Sequence, residues 1–151
     1  MGDLTSAPIP PVGPDDHVAG DGEEGIVVYA DLGCPHCAAE WQRLREGPGR
    51  LVFRHFPVAG RHPRSPALHA AAEAAGRQDR FFEMVDSLYA ERGRVDDPHL
   101  WERVEAMGLD LERFEADRRL AEVGARVRRD FESGIRAGVT STPGVFSLSS
   151  T

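Results

Sequence analysis

The sequence predicts an α/β domain in which a strand–helix–strand unit is followed by a long helical stretch and a late strand. Two apolar runs, at residues 25–31 and 51–58, flank a segment of helix-forming residues. Repeated helix start and stop signals then cover residues 65–137. A last apolar run, GVFSL, lies near the end of the 151-residue chain. These observations favour one domain with parallel strands and a large helical insertion.

Residues 1–24 are expected to form an extended, poorly ordered lead-in. They carry four prolines among glycines and aspartates, a composition that gives little apolar surface to bury. The predicted domain therefore covers residues 25–151, and its helical insertion covers about 65–137.

The first predicted strand is GIVVYAD, a β-branched run typical of a strand buried on both faces. The helix formers AAEWQRLRE follow and end at Gly47-Pro48. The second strand, LVFRHFPV, is closed by Pro57. A strand, a helix and a strand within about 35 residues form a βαβ unit.

Helix start and stop signals divide residues 65–137 into several predicted helices. Ser65-Pro66 and Asp97-Pro98 each place a capping residue before a proline at the first helical position. Asp79 and Asp110 are further candidate caps. The last predicted helix has one apolar stripe at spacings of three or four, made of Leu120, Val123, Val127, Phe131 and Ile135.

Composition argues against several classes of function. The net charge of −7 disfavours nucleic acid or an anionic membrane as a partner. No window approaches the roughly 18 apolar residues of a membrane span. The first residues lack the basic start and apolar run of a signal peptide, so the expected location is the cytoplasm. A cysteine pair there is more often catalytic or metal-binding than structural.

Both cysteines lie in one motif, CPHC, directly after the first strand. Cys34 is expected near the start of the following helix, where the helix dipole and unpaired N–H groups favour a thiolate. Pro35 suits the next position because its missing N–H would have been an unbonded donor. Cys37 would lie on the same helix face, within disulfide reach. His36 can add positive charge or a hydrogen bond, which would make the disulfide more oxidising.

Metal or haem binding is a weaker interpretation of this motif. A structural zinc site commonly needs two such ligand pairs, and His55, His62 and His69 show no second paired spacing. A c-type haem motif needs His where this chain has Ala38, and an iron–sulfur cluster generally needs four cysteines. We therefore expect no metal and no cofactor beyond the redox-active disulfide. Two inert core thiols remain an alternative.

The order of these motifs resembles the DsbA-like branch of the thioredoxin-fold thiol–disulfide oxidoreductases. The resemblance rests on CPHC after a buried strand, FRHFP in the next strand, the helical insertion, and GVTSTP about 105 residues after the cysteines. With DDHVAGD and RRDFESGIRAGV included, it covers roughly residues 15–146. It implies a thioredoxin-like fold with an all-helical insertion, in which Cys34 is the exposed nucleophile and Cys37 the buried resolving thiol.

The resemblance also implies roles for four further residues. Pro143 would be a cis-proline facing the disulfide, and the backbone of Thr142 would hydrogen-bond an extended substrate peptide. Pro35 and His36 would tune the reduction potential. The family's final strand and closing helix have no counterpart before Thr151, so one sheet edge is expected to be bare and could pair with a second copy of the chain.

The leading functional hypothesis is a thiol–disulfide oxidoreductase that acts on protein thiols or on small thiols such as glutathione. One alternative is a thioredoxin-fold peptide-binding module that has lost turnover. Another is a glutathione-dependent isomerase or transferase, which the intact cysteine pair disfavours. Asp31 is expected to cap the loop before the motif rather than relay protons to Cys37, and His55 is expected to be a satisfied, half-buried histidine.

Overall fold

The structure is a computed structural model that describes residues 7–148. Its strands are β1 (His17–Ala19), β2 (Gly25–Ala30), β3 (Arg50–His55) and β4 (Gly144–Leu148). Its helices are α1 (Pro35–Glu46), α2 (Ser65–Gly76), α3 (Phe81–Ala90), α4 (Asp97–Ala106), α5 (Leu111–Asp117) and α6 (Ala121–Arg136). The strands form one mixed sheet in the order β1-β3-β2-β4.

The βαβ unit is β2-α1-β3, with β2 and β3 parallel over six residue pairs. The apolar residues of β2 alternate between two cores, as expected of a strand buried on both faces. Val28 and Ala30 pack with α1, α2 and α3, whereas Val27 and Tyr29 face the opposite side. The predicted α/β fold with a helical insertion is confirmed, and the insertion consists of α2 to α6.

The lead-in contributes a strand to the sheet. β1 pairs with β3 antiparallel, His17 lying opposite Phe53. Three residues are too few for an alternating pattern, and β1 therefore carries no strand signal in the sequence. The buried guanidinium of Arg54 supplies the anchor, since its Nη2 and Nε each donate to the Asp16 carboxylate at 3.0 Å. The folded unit therefore begins before residue 25.

Three of the four predicted helix caps differ in the structure. Asp110 accepts from the N–H of Arg113 and caps α5 as predicted, and Asp96 caps α4 from the position before Asp97. Ser65 does not cap α2, because its hydroxyl is turned inward to Asp31. Asp79 lies two residues before α3, in the left-handed region with φ 66°.

The apolar stripe of α6 holds only over its first turns. Val123 and Val127 are buried, but Ile135 is 52% exposed. In the last turns the helix buries Asp130, Ser133 and Gly134 instead, because polar groups on the sheet meet them there. Ser133 Oγ lies 2.8 Å from the Tyr29 hydroxyl, and Asp130 accepts from the N–H of His55. Within the described residues, no helix is long and apolar enough to span a membrane.

Candidate active site at the Cys34–Cys37 pair

Cys34 lies at the junction of the β2–α1 loop and the helix. It is the N-cap residue of α1, with extended backbone (φ −88°, ψ 123°), and Pro35 follows in the first turn. The carbonyl of Cys34 accepts from the N–H of Ala38 at 3.1 Å, which closes that turn. Pro35 and His36 are exposed at the surface. Cys34 therefore lies at the N-terminus of α1, where the first backbone N–H groups have no partner within the helix.

The two cysteines are free thiols in contrasting surroundings. Cys34 is partly exposed, whereas Cys37 is buried, with 1% of its surface accessible. Burial raises the pKa of the Cys37 thiol to about 12, although hydrogen bonds to the Asp31 amide and the Thr142 hydroxyl act in the opposite direction. The neighbouring Cys34 adds to the increase. Cys37 is therefore protonated at neutral pH, and Cys34 is the accessible sulfur.

Thr142 comes to this site from the far end of the chain. It precedes β4, and its side chain lies close enough to the Cys37 sulfur to lower the pKa of that thiol. The Thr142–Pro143 peptide bond is cis, and both residues are partly exposed. The structure thus brings together three of the predicted site residues, Cys34, Cys37 and Thr142.

Asp31 ties the loop before the motif to the insertion. Its Oδ1 accepts from the Gly33 amide at 3.0 Å and from the Ser65 hydroxyl at 2.5 Å. Its Oδ2 accepts from the Val58 amide at 3.0 Å. Burial opposes ionisation, but His69, Ser65 and the Gly33 amide outweigh it and lower the pKa of Asp31. A carboxylate occupied by three donors is a loop cap, as the sequence predicts, and a poor proton acceptor.

The backbone of Asp31 fixes the cysteines directly. Its N–H lies 3.4 Å from the Cys37 sulfur, and its carbonyl accepts from the Cys34 amide at 3.1 Å. The same carbonyl accepts from the Tyr89 hydroxyl of α3 at 2.9 Å. The next amide, that of Leu32, donates to Nε2 of His69 at 3.0 Å. The insertion therefore holds the loop that positions both thiols.

Sequence reasoning missed a polar cluster under this loop. His55 is fully buried rather than half-buried, and its Nδ1 lies 2.7 Å from Nδ1 of His69. Its Nε2 lies 2.7 Å from a Glu73 oxygen, which is also 2.5 Å from Nε2 of His17. These residues are up to 56 positions apart in the chain, so no local spacing could have grouped them.

Comparison with known proteins places the chain among relatives of this fold. The family model described as Thioredoxin matches residues 14–147. The Na(+)/H(+) antiporter NhaA of Herminiimonas arsenicoxydans is 36% identical over 153 residues, which cover 95% of this chain and 24% of that protein. The chain therefore spans about a quarter of the length of the curated relatives it matches.

Solved structures of DsbA-type oxidoreductases share the architecture. A thioredoxin-like oxidoreductase from Silicibacter pomeroyi is 27% identical, with a TM-score of 0.77 over 89% of this chain and 81% of that one. Alpha-DsbA1 of Wolbachia pipientis shares the fold with a TM-score of 0.78 at 20% identity, over 90% of this chain and 76% of that one. Because the family model covers most of the sequence, the chain belongs to the thioredoxin family.

Proposed function

We propose that this chain is a thiol–disulfide oxidoreductase that exchanges disulfides with protein thiols through Cys34 and Cys37. The observation that carries the proposal is the pairing of an accessible sulfur at a helix start with a buried thiol three residues on. The likeness to the Silicibacter pomeroyi oxidoreductase supports it. Exchange of this kind needs no cofactor beyond the cysteine pair itself.

The oxidative direction begins with the Cys34–Cys37 disulfide. A substrate thiolate attacks the sulfur of Cys34, the S–S bond breaks, and a mixed disulfide forms. The sulfur of Cys37 leaves as a thiolate and takes up a proton, which its raised pKa favours. A second substrate thiolate then attacks the substrate sulfur and releases Cys34. Two electrons have passed from the substrate thiols to the cysteine pair, and the substrate holds the disulfide.

The reverse direction makes a different demand on Cys37. The Cys34 thiolate attacks a substrate disulfide, and Cys37 must then lose its proton before its sulfur attacks Cys34 and releases the substrate. Because burial raises the pKa of Cys37, this last step is expected to accelerate with increasing pH. Protein thiols or small thiols such as glutathione serve as partners, and the redox poise of the compartment decides the direction. We infer that the backbone of Thr142 binds the substrate segment beside the pair.

Insulin reduction in the presence of dithiothreitol tests the proposal. The wild-type chain should accelerate the precipitation of the insulin B chain, and Cys34→Ser should reduce the rate to the uncatalysed background. In a separate incubation with insulin and no dithiothreitol, reduced Cys37→Ser should accumulate a mixed disulfide with the substrate, visible as a mass increase, because neither a resolving thiol nor an external dithiol releases it. Circular dichroism of each variant checks that it is folded. Equal rates for wild type and Cys34→Ser would contradict the proposed oxidoreductase activity.

A second candidate is a peptide-binding module without turnover. Thr142 and Pro143 are partly exposed beside the pair, which leaves this backbone open to an extended peptide whether or not the cysteines turn over. A module of this kind would bind an extended peptide beside Thr142 equally well in wild type and in Cys34→Ser. An insulin assay at background together with unchanged peptide binding would select it.

A further inference from the structure

We propose that His17, His55 and Glu73 form a binding site for one divalent transition-metal ion of the zinc class. The three side chains come from β1, β3 and α2, and one ligand atom of each lies within 4.8 Å of the other two. Two imidazoles and one carboxylate are a donor set that binds zinc and iron in proteins. The cluster lies outside the cysteine pair, and the proposed disulfide exchange makes no use of it.

The ligand set is oriented by its neighbours before any ion binds. The Nδ1 of His55, which would face away from the ion, lies 2.7 Å from Nδ1 of His69. The ring of His17 stacks on Phe81, with centroids 3.5 Å apart and planes 5° from parallel. Metal-binding histidines usually donate their second ring N–H to a neighbouring acceptor. An ion on Nε2 of His55 therefore requires its proton on Nδ1 and His69 as the acceptor. His69 then gives up the bond from the Leu32 amide and turns its own proton toward Asp31.

The three proposed ligands differ in how far their side chains are exposed to solvent. The side chain of His55 is 0% exposed and that of Glu73 is 8% exposed, whereas that of His17 is 17% exposed. His17 is therefore the ligand through which an ion would enter from solvent. The buried carboxylate supplies the negative charge that a dication needs there.

The same three groups also hydrogen-bond to one another. Nε2 of His17 and Nε2 of His55 lie 2.5 and 2.7 Å from the same Glu73 oxygen. Two ligands on a tetrahedral zinc ion lie about 3.3 Å apart, given bonds of about 2.0–2.1 Å. The groups must therefore separate by less than about 1 Å, and the proton on each Nε2 must move to the Nδ1 of the same ring as the ion takes its place. His17 can supply this movement because it lies on a three-residue edge strand.

Arg126 competes with an ion for Glu73. Its Nε lies 3.9 Å from the oxygen that both imidazoles approach, and within the described residues this Nε has no hydrogen-bond partner. A fixed positive charge at that distance repels a dication. Removal of this charge should therefore strengthen metal binding, whereas removal of a ligand should weaken it.

The test is titration of Co²⁺ and then Zn²⁺ into the Cys34→Ser/Cys37→Ser chain, which lacks competing thiol ligands. Calorimetry should give one ion per chain, and bound Co²⁺ should show visible absorption bands. His17→Ala should lower the affinity by more than the roughly 10–100-fold that loss of a ligand's hydrogen-bond partner costs. Glu73→Gln, which keeps a hydrogen-bond acceptor but no charge, should lower it as well. Arg126→Gln should raise it.

The controls separate a metal site from a hydrogen-bonded cluster. His99→Ala removes a partly exposed histidine on α4 and should leave the affinity unchanged. Circular dichroism and thermal unfolding confirm that each variant is folded before titration. The proposal is overturned if the cysteine-free chain binds no Co²⁺ or Zn²⁺ stoichiometrically. It is equally overturned if binding survives both His17→Ala and Glu73→Gln undiminished.

Discussion

Cys34 and Cys37 are one helical turn apart, yet their sulfurs meet opposite environments. The first residue lies outside the helix at its N-cap, where the loop leaves it partly exposed. The second lies inside the first turn and faces the core formed with β2 and α3. The difference in exposure gives the two thiols different chemical roles, because accessibility decides which sulfur a substrate can attack.

We expect alkylation at neutral pH to label Cys34 and to spare Cys37. Cys37 is 1% exposed, and burial raises the pKa of its thiol to about 12, so its thiolate fraction at pH 7 is about one in 10⁵. Mass spectrometry of peptides labelled with iodoacetamide measures each site. In denaturant both cysteines should react to the same extent. Comparable labelling of the two sites in the native chain would contradict the burial of Cys37.

Asp31→Ala is expected to lower the free energy of unfolding by roughly 3 kcal/mol, because it leaves buried donors without their charged acceptor. The affected donors are the Gly33 and Val58 amides and the Ser65 hydroxyl. Ser65→Ala, the matched control, removes one of these bonds and should cost about 1–2 kcal/mol. Urea denaturation measures both. If the two variants lost equal stability, Asp31 would not be the common anchor of the loop.

At the scale of elements, α6 lies close to the sheet because it carries a glycine where the two surfaces meet. A Cβ added at Gly134 would lie 2.8 Å from ring carbons of Phe56 and 2.9 Å from the ring of Tyr29. Both rings are buried, so neither has free space to move into. Gly124 lies on the same helix with nothing within 4 Å of its added Cβ.

Alanine at these two positions should therefore change stability in opposite directions. Gly134→Ala is expected to cost about 1–3 kcal/mol because it overpacks the contact with the sheet. Gly124→Ala should gain about 0.5–1 kcal/mol because alanine restricts the unfolded chain and favours helix. Chemical denaturation of both variants gives the comparison. A gain at both positions would mean that α6 packs less closely than the structure describes.

Helix positions could be predicted largely from local signals, whereas their buried faces could not. Proline at a first turn marked α1, α2 and α4, because proline at that position removes no helical hydrogen bond. The end of the α6 stripe was wrong because the partners of Asp130 and Ser133 lie on the sheet. A periodicity of apolar residues carries no information about polar groups that a distant strand will present.

At the scale of the whole molecule, the same distinction separates the thiol pair from the histidine cluster. Cys34 and Cys37 could be predicted because both lie in one four-residue motif at the start of a helix. Thr142 could be placed beside them only through a family resemblance. His17 can reach Glu73 because the lead-in adds β1 to the sheet. β1 lies on one side of β3, and β2 lies on the other. That juxtaposition is a property of the complete topology, which spacing along the chain does not encode.

The buried histidines should make the metal-free protein less stable in acid. In the unfolded chain a histidine has a pKa of 6.5, whereas burial lowers the pKa of folded His55 to about 3. Below pH 6.5 the unfolded chain therefore binds a proton that the folded protein does not, and acid favours unfolding. Burial also lowers the pKa of His69, so this residue likewise makes the folded protein less stable as the pH falls. The His55 contribution to the free energy of unfolding should fall with a slope that approaches about 1.4 kcal/mol per pH unit below pH 6.5.

Two buried carboxylates, Glu73 and Asp130, also change the free energy of unfolding as the pH is lowered. Burial would raise the pKa of Glu73, but hydrogen bonds from His17 and His55 hold it below 4.5, so its stabilisation is lost as pH falls further. Asp130 has the opposite sign, since burial raises its pKa and its protonation favours the folded state. Urea denaturation in EDTA between pH 7 and 4 measures the combined profile, and comparison with His55→Asn isolates the contribution of that histidine. His55→Asn should flatten the slope relative to the wild-type chain, and an identical slope in the two proteins would show that His55 is not a source of the acid sensitivity.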